Sequence, residues 1–185
     1  RRAGLLDIRM VPERHNAVKV LLFLDIGGSM DDHVRICEEL FSAARGEFKH
    51  LEHFYFHNFV YESVWKDNRR RHTERTPLPE VMRTYGHDYK LVVVSDYRIV
   101  FVGDATMSPY EIVQPGGSIE HWNEEAGSVW MKRLLANYPR HVWLNPEPTE
   151  RWQYTPSVQI ARELFEERMF PLTLEGLDRA MRELQ

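Results

Sequence analysis

The run Val18-Lys19-Val20-Leu21-Leu22-Phe23-Leu24-Asp25-Ile26-Gly27-Gly28-Ser29 is the clearest structural signal in the chain. Residues 18–24 are almost all apolar and include branched side chains, which is typical of a strand buried on both faces of a parallel sheet. An acid, two glycines and a serine follow, and helical spacing of apolar residues begins at Met30. The order predicts a strand, a tight turn and a helix. Asp25 would then lie at the carboxyl end of the strand, where open α/β sheets bind ligands.

Composition and charge limit the class of protein. The 185 residues are enough for one domain with a substantial core, and 43% hydrophobic with 28% charged residues is ordinary for a globular chain. A formal net charge of −4 argues against a general nucleic-acid binder. The single cysteine, Cys37, excludes an internal disulfide and a multi-cysteine zinc site, and it fits a reducing compartment. No apolar run approaches the roughly 20 residues of a membrane span, so we expect a cytoplasmic protein without a membrane or nucleic-acid partner.

Strand and helix patterns alternate along the rest of the chain. We expect residues 1–17 to be a lead-in segment that ends an upstream region, and residues 18–185 to form one domain. After the first strand, further strands are predicted over 48–57 and over 141–144, which is expected to be the last strand. Helices are predicted over 30–44, over 78–85, from 123 to about 138, from 155 to about 168 and over 173–184. The alternation predicts a three-layer α/β/α fold, doubly wound around a mainly parallel sheet.

Two predicted loops carry residues of chemical interest. Residues 66–76 form a polar loop, and Thr76-Pro77 at its end has the form of a helix N-cap followed by the first helical position. Residues 105–117 are expected to be a second loop. These loops place hydroxyl and carboxylate groups between the predicted strands and helices.

Residues 88–95 and 96–103 are nearly duplicated octets. Each has Asp-Tyr, a base, a branched aliphatic residue and valines in the same order, so that Asp96 and Asp104 each follow a strand-like run. Eight extended residues span about 26 Å. Asp96 and Asp104 are therefore too far apart to bind the same ion, and only one of them can be at the site. The duplication either adds a strand or lengthens one.

Local residues leave four interpretations of the turn Asp25-Ile26-Gly27-Gly28-Ser29 open. In a phosphoryl-transfer site of the haloacid-dehalogenase type, Asp25 would be the nucleophile, but the second acid is expected where this chain has Gly27. A phosphate-binding P-loop needs a lysine that is absent from this turn. A divalent-cation site would use Asp25 and Ser29 as hard oxygen ligands of the kind that Mg²⁺ prefers. In the fourth interpretation Ser29 only caps the helix and Asp25 only accepts its N–H bonds.

Taken together, these motifs resemble a von Willebrand factor A domain. The metal-ion-dependent adhesion site of that family uses Asp-x-Ser-x-Ser after the first strand, a threonine from a second loop and an aspartate from a third. The resemblance implies a Mg²⁺ or Mn²⁺ site formed by four residues of this chain: Asp25, Ser29, Thr76 and Asp104. Asp104 is preferred over Asp96 because a glycine precedes it and a loop of small residues follows, as in the family. Thr73 is the substitute for Thr76.

The details look most like the bacterial CoxE-like branch of that family. They are Leu-Leu-Phe-Leu-Asp-Ile-Gly-Gly-Ser-Met at 21–30, Gly-Asp-Ala-Thr-Met-Ser-Pro-Tyr-Glu at 103–111 and the Trp-Leu-Asn-Pro run at 143–146. Gly27 stands where the family has its first serine, which removes one hydroxyl ligand. Water could fill that position, because Mg²⁺ retains waters readily. Asp31 and Asp32 are expected to favour the positive end of the helix rather than to bind the ion.

The resemblance implies a metal-ion-dependent protein-binding module rather than an enzyme. In the family, a carboxylate from a partner protein completes the coordination shell of the ion. CoxE-like proteins are similar to proteins that work with MoxR-type AAA+ ATPases. The resemblance therefore implies such an ATPase as a partner and a role in assembly or maturation of a target protein. The alternatives are a Mg²⁺-dependent phosphohydrolase with Asp25 as nucleophile, and an interaction domain with a vestigial metal site. The nine histidines show no HExxH or comparable metal-binding spacing.

Overall fold

The computed structural model of the chain describes residues 18–44, 46, 48–87, 97–118 and 121–185. The predicted lead-in segment, the first of the two octets and Asp96 lie outside the described residues. Of the second octet, residues 97–103 are described, and Asp104 follows them.

Nine strands occur in the described residues. They are β1 (Lys19–Asp25), β2 (His50–Phe56), β3 (Ser63–Val64), β4 (Thr76–Pro77), β5 (Tyr97–Val102), β6 (Gly116–Ser118), β7 (His121–Asn123), β8 (His141–Asn145) and β9 (Met169–Pro171). Five of them form one sheet in the order β2-β1-β5-β8-β9, and every neighbouring pair in it is parallel. The other four form two antiparallel pairs, β3 with β4 and β6 with β7.

Seven α-helices lie within the same part of the chain. They are α1 (Val34–Ala44), α2 (Leu78–Thr84), α3 (Pro109–Val113), α4 (Gly127–Asn137), α5 (Thr149–Trp152), α6 (Pro156–Leu164) and α7 (Leu174–Glu183). A 3-10 turn, Gly28–Asp32, precedes α1. Among the described residues, no helix combines the length and the apolar character needed to cross a bilayer.

Helices pack on both faces of the sheet, because alternate residues of its strands point into two separate cores. Leu21 and Phe23 of β1 belong to the core that includes residues of α2, α4 and α6. Val20 and Leu22 belong to the other core, which includes residues of α1 and α7. The predicted three-layer α/β/α fold with a parallel central sheet is therefore confirmed.

The strand order reverses beside β1. The chain passes from β1 to β2 on one side and later returns to β5 on the other side. In open α/β sheets, the crevice outside the carboxyl ends of the strands at such a reversal is the usual ligand site. Asp25 ends β1, and Asp104 lies two residues after the end of β5. The topology thus places both predicted aspartates at this crevice.

Some boundaries near the site differ from the prediction. The first strand extends to Asp25, because Asp25 still pairs with Phe56 of β2. The first helix was expected from Met30, but α1 begins only at Val34, after the 3-10 turn Gly28–Asp32, and both Gly27 and Gly28 have positive φ. Thr76 does not cap α2: it pairs with Val64 in the β3–β4 pair, and α2 begins at Leu78.

Differences in the second half of the chain have similar causes. The predicted loop over 105–117 contains α3 and the start of β6. The helix expected from 123 begins at Gly127, because Asn123 is still paired with Gly116 in the β6–β7 hairpin. The helix expected to reach about 168 ends at Leu164, and Glu166 and Glu167 have positive φ. The strand at 141–145 is not the last, since β9 pairs with it.

Candidate metal centre

Asp25 and Asp104 are buried side by side at the carboxyl ends of β1 and β5. Each is only 4% exposed. The backbone at Gly103 passes directly against Asp25, since a Cβ built on Gly103 would lie 3.3 Å from the Asp25 Cβ and 3.2 Å from the ring of Trp143. A side chain at position 103 would push these groups apart. The glycine that precedes Asp104 therefore permits the close approach of the two acidic residues.

Trp143, a residue of the core, contacts the turn that carries Asp104. Its indole N–H donates a hydrogen bond of 3.0 Å to the carbonyl oxygen of Gly103. Its ring is fully buried and stacks on Phe101 of β5, with ring centroids 5.8 Å apart. The position of Asp104 is thus fixed by packing in the core as well as by its own strand.

Backbone N–H groups hold both carboxylates. Asn58 donates its backbone N–H to Oδ1 of Asp25 over 3.1 Å, and Thr106 donates its backbone N–H to Oδ1 of Asp104 over 2.8 Å. None of the ion pairs between described residues includes Asp25 or Asp104. Two buried carboxylates without a basic partner are unfavourable when both are ionised.

The pKa values of Asp25 and Glu111 reflect this unfavourable environment. Burial raises the pKa of the Asp25 carboxyl well above its usual range, the hydrogen bond from Asn58 opposes that shift, and the charges of Asp104 and Glu111 add to it. Burial also raises the pKa of Glu111, against the hydrogen bond from Asn58. A proton or a bound cation would relieve the repulsion between these groups.

Asn58 and Glu111 belong to this cluster, although neither was predicted. Asn58 has φ of 61°, in the left-handed region, and so its backbone N–H reaches Asp25 while its side chain donates to Oε1 of Glu111 over 3.2 Å. The hydroxyl of Tyr61 donates to the backbone carbonyl of Glu111 over 2.7 Å. The signal for Asn58 was its residue type, since asparagine tolerates the left-handed region directly after a strand. Glu111 carries no comparable signal in the sequence.

The ring of His57 covers the Gly27–Gly28 turn. Its Nδ1 lies 2.8 Å from the carbonyl oxygen of Ile26. A Cβ built on Gly27 would lie 3.1 Å from Nδ1 and 3.2 Å from Cε1 of that ring, and Gly27 has φ of 95°. Any other residue at position 27 would be strained and crowded. The structure therefore disfavours a serine at position 27, where the resembled motif has one.

The two predicted hydroxyl ligands, Ser29 and Thr76, lie on different structural elements from the two aspartates. Ser29 is exposed on the 3-10 turn, four residues after Asp25. Thr76 is half-buried and faces Val64, whose neighbour Trp65 bridges to Tyr55 of β2. This pairing puts Thr76 level with the carboxyl end of β2. Coordination by Ser29 and by Thr76 stays a prediction.

Thr73, the substitute for Thr76, is exposed, and its hydroxyl donates to the backbone carbonyl of Arg70 over 3.3 Å. Asp31 and Asp32 are exposed on the 3-10 turn. Their predicted role at the start of the helix stays a prediction.

The residues present suit a hard divalent cation. Buried carboxylate oxygens with uncompensated charge are the ligands that Mg²⁺ and Mn²⁺ favour. Within the described residues, no three His, Cys, Asp or Glu side chains form a group that could hold an ion by themselves. An ion at Asp25 and Asp104 would therefore need hydroxyl groups, water or a partner's carboxylate to complete its shell.

Comparisons of the chain with protein-family models, with curated proteins and with solved structures found no match.

Replacing Asp25 by Asn should stabilise the protein in a chelator at neutral pH. Burial raises the pKa of the Asp25 carboxyl in the folded state, so the folded state resists its ionisation, and the parent loses stability as pH rises from about 3.8 towards the raised pKa. Asn does not titrate and does not incur this loss. The free energy of unfolding, measured by urea titration in EDTA between pH 4 and 8, should decline with pH less steeply in Asp25→Asn than in the parent. The exposed Asp31→Asn is the control and should follow the parent. Equal slopes for Asp25→Asn and the parent would contradict this explanation.

Gly27→Ser, which introduces the serine of the resembled motif, should lower the free energy of unfolding. Gly27→Ser must hold a side chain at φ of 95° against the ring of His57, which costs about 1–3 kcal/mol. Gly46→Ser is the matched control, because a Cβ there meets nothing within 4 Å. Denaturant titration should show a loss of stability for Gly27→Ser and little change for Gly46→Ser. A Gly27→Ser variant as stable as the parent would show that the turn is not constrained as described.

Proposed function

We propose that this chain is a metal-ion-dependent protein-binding module of the von Willebrand factor A type, in its CoxE-like form. The ion is Mg²⁺ or Mn²⁺, held by Asp25 and Asp104 with hydroxyl ligands from Ser29 and Thr76. The observation that carries the proposal is the burial of two adjacent carboxylates at the reversal of strand order, each bound by a backbone N–H. A cation at this point gives a functional reason to bury that charge.

The exposed apolar side chains support protein binding at the same edge. The large apolar residues that are exposed in the described part of the chain are Ile36, Tyr110, Val113, Trp122, Val129, Tyr154 and Leu174. Each lies in a segment that follows the carboxyl end of a strand, or in the first turn of a helix that runs back along the sheet. In a parallel α/β fold these positions share the edge that holds Asp25 and Asp104. Exposed apolar side chains at this edge are available to bury surface against another protein.

The ion would supply a positive charge with an open coordination position at this edge. Asp25 and Asp104 would fix it to the sheet, and a carboxylate from the partner would occupy the open position. Exposed apolar side chains such as Trp122, which is 67% exposed, would bury apolar surface against the partner. We propose a MoxR-type AAA+ ATPase as that partner, in assembly or maturation of a target protein in the cytoplasm.

Calorimetric titration with MgCl₂ and MnCl₂ tests the ion, and co-purification with the ATPase tests the partner. The parent protein should bind one ion per chain, and Asp25→Ala and Asp104→Asn should each abolish the heat of binding, because each removes a carboxylate ligand. Asp178→Asn, on the outer face of α7 and paired with Arg182, is the control and should bind like the parent.

The ATPase should be retained in Mg²⁺ and released in EDTA. Absence of heat from the parent would contradict the metal site, and retention in EDTA would contradict metal-dependent docking.

A further inference from the structure

We infer that the central strand β5 has two possible registers, because either of the two octets can fill its place between β1 and β8. Residues 97–102 occupy that place in the structure, and residues 89–94 are the alternative. Phe101 and Gly103 select the register that is found. This inference concerns strand pairing in the sheet and is independent of the proposed metal site.

The two octets carry matching apolar residues at the positions that face the cores. Val100 and Val102 of β5 belong to the core that includes α1 and α7, whereas Ile99 and Phe101 belong to the opposite core. A shift of eight residues is even, so each residue of the first octet would face the same core as its counterpart. Those counterparts are all apolar, namely Leu91, Val92, Val93 and Val94. Either octet therefore has the composition of a strand buried on both faces.

The connections on either side of β5 are long enough for both registers. Residues 85–96 connect the end of α2 to β5, which is longer than the usual two to six residues of such a connection. With residues 89–94 in the sheet, residues 85–88 would connect α2 to the strand, and this length is usual. The surplus octet would then follow the strand instead of preceding it. The length of the chain thus permits the exchange.

Phe101 favours the register of the structure. The centroid of its ring lies 5.3 Å from that of Phe23, 5.8 Å from that of Trp143 and 5.1 Å from that of Phe165. Its counterpart in the first octet is Val93. A valine would leave part of the space between these rings empty, and such a loss of volume in a core is destabilising.

Gly103 favours the same register. A Cβ built on it would lie 3.2 Å from the ring of Trp143 and 3.3 Å from the Cβ of Asp25, and its counterpart in the first octet is Ser95. A serine there would crowd both neighbours. The other two differences between the octets, Lys for Arg and Leu for Ile, preserve charge or volume. The neighbours of β5 therefore discriminate between the octets at the two positions where the octets differ most in size.

The register also decides which residues follow the strand at the crevice. Asp104 lies beside Asp25 in the structure, whereas Asp96 would follow the strand in the alternative register. Residues 97–108 would then connect the strand to α3. A molecule that binds residues 104–111 as they are arranged here would stabilise the register of the structure, because it binds one of the two states.

Fluorine-19 NMR of the full chain labelled with 5-fluorotryptophan tests the inference. A chain in one register gives one resonance for each of its five tryptophans. An exchange of register must break the pairing of β5 with both neighbours, so two registers would give two separate sets of resonances. The parent should show one main set, because Phe101 and Gly103 select it. Val93→Phe combined with Ser95→Gly should add a second set with at least about a tenth of the total intensity.

This double variant leaves the second octet unchanged, so it can still fold in the register of the structure. Lys90→Arg combined with Leu91→Ile is the matched control and should keep one main set, because these changes do not touch the discriminating positions. Adding Leu91→Pro to the double variant should remove the second set, since proline does not fit a central strand. One set in the double variant, or a second set that persists with Leu91→Pro, would overturn the inference.

Discussion

The arrangement at the edge of the sheet depends on one electrostatic constraint, the burial of Asp25 and Asp104 beside each other without a basic residue to pair with either in the described residues. Two ionised carboxylates in a poorly solvated crevice repel one another, and removing them from water is costly. The fold nevertheless brings them together, because β1 and β5 are neighbours in the sheet. Asp25 is the last residue of β1, and Asp104 lies two residues after the end of β5.

Several features of the neighbouring structure follow from this constraint. Gly103 lets the turn after β5 pass against Asp25, and Trp143 holds the carbonyl of Gly103 from the core side. Asn58 accepts a left-handed backbone so that its N–H can offset part of the charge on Asp25. These groups keep the carboxylates fixed in place, which is the preorganisation that an ion site needs. Because these groups fix the carboxylates in place, a proton or a bound cation, and not movement of the side chains, would relieve the repulsion.

The sequence was sufficient for the fold class and for the position of Asp25 at the end of a strand. Buried strands, glycine turns and helical periodicity predicted the α/β class, and the position of Asp25 at the end of a strand followed from the apolar run before it. Asp104 could be placed beside Asp25 only through the resemblance, because strand order is set by contacts between segments distant in sequence. Short elements such as β4 and β9 were missed or misassigned, since two or three residues carry too little periodicity to be recognised.

Glu111 and His57 show most clearly that local sequence does not reveal contacts between residues far apart in the chain. Glu111 reaches the crevice through a hydrogen bond with Asn58, 53 residues away, and His57 reaches it through the carbonyl of Ile26, 31 residues away. Neither contact has a pattern that a single sequence displays. Gly27, in contrast, was identified as the departure from the motif, and the structure supplies its cause in a positive φ and the ring that lies against it.

The most direct test of the buried carboxylate pair as a cation site is a crystal structure of the chain grown with MnCl₂, with anomalous scattering measured at the manganese edge. A bound ion would give one strong anomalous peak in the crevice between β1 and β5, within about 2.0–2.5 Å of carboxylate oxygens of Asp25 and Asp104. An ordered crevice with no anomalous peak beside these two residues, at a manganese concentration that fills sites elsewhere in the crystal, would contradict it.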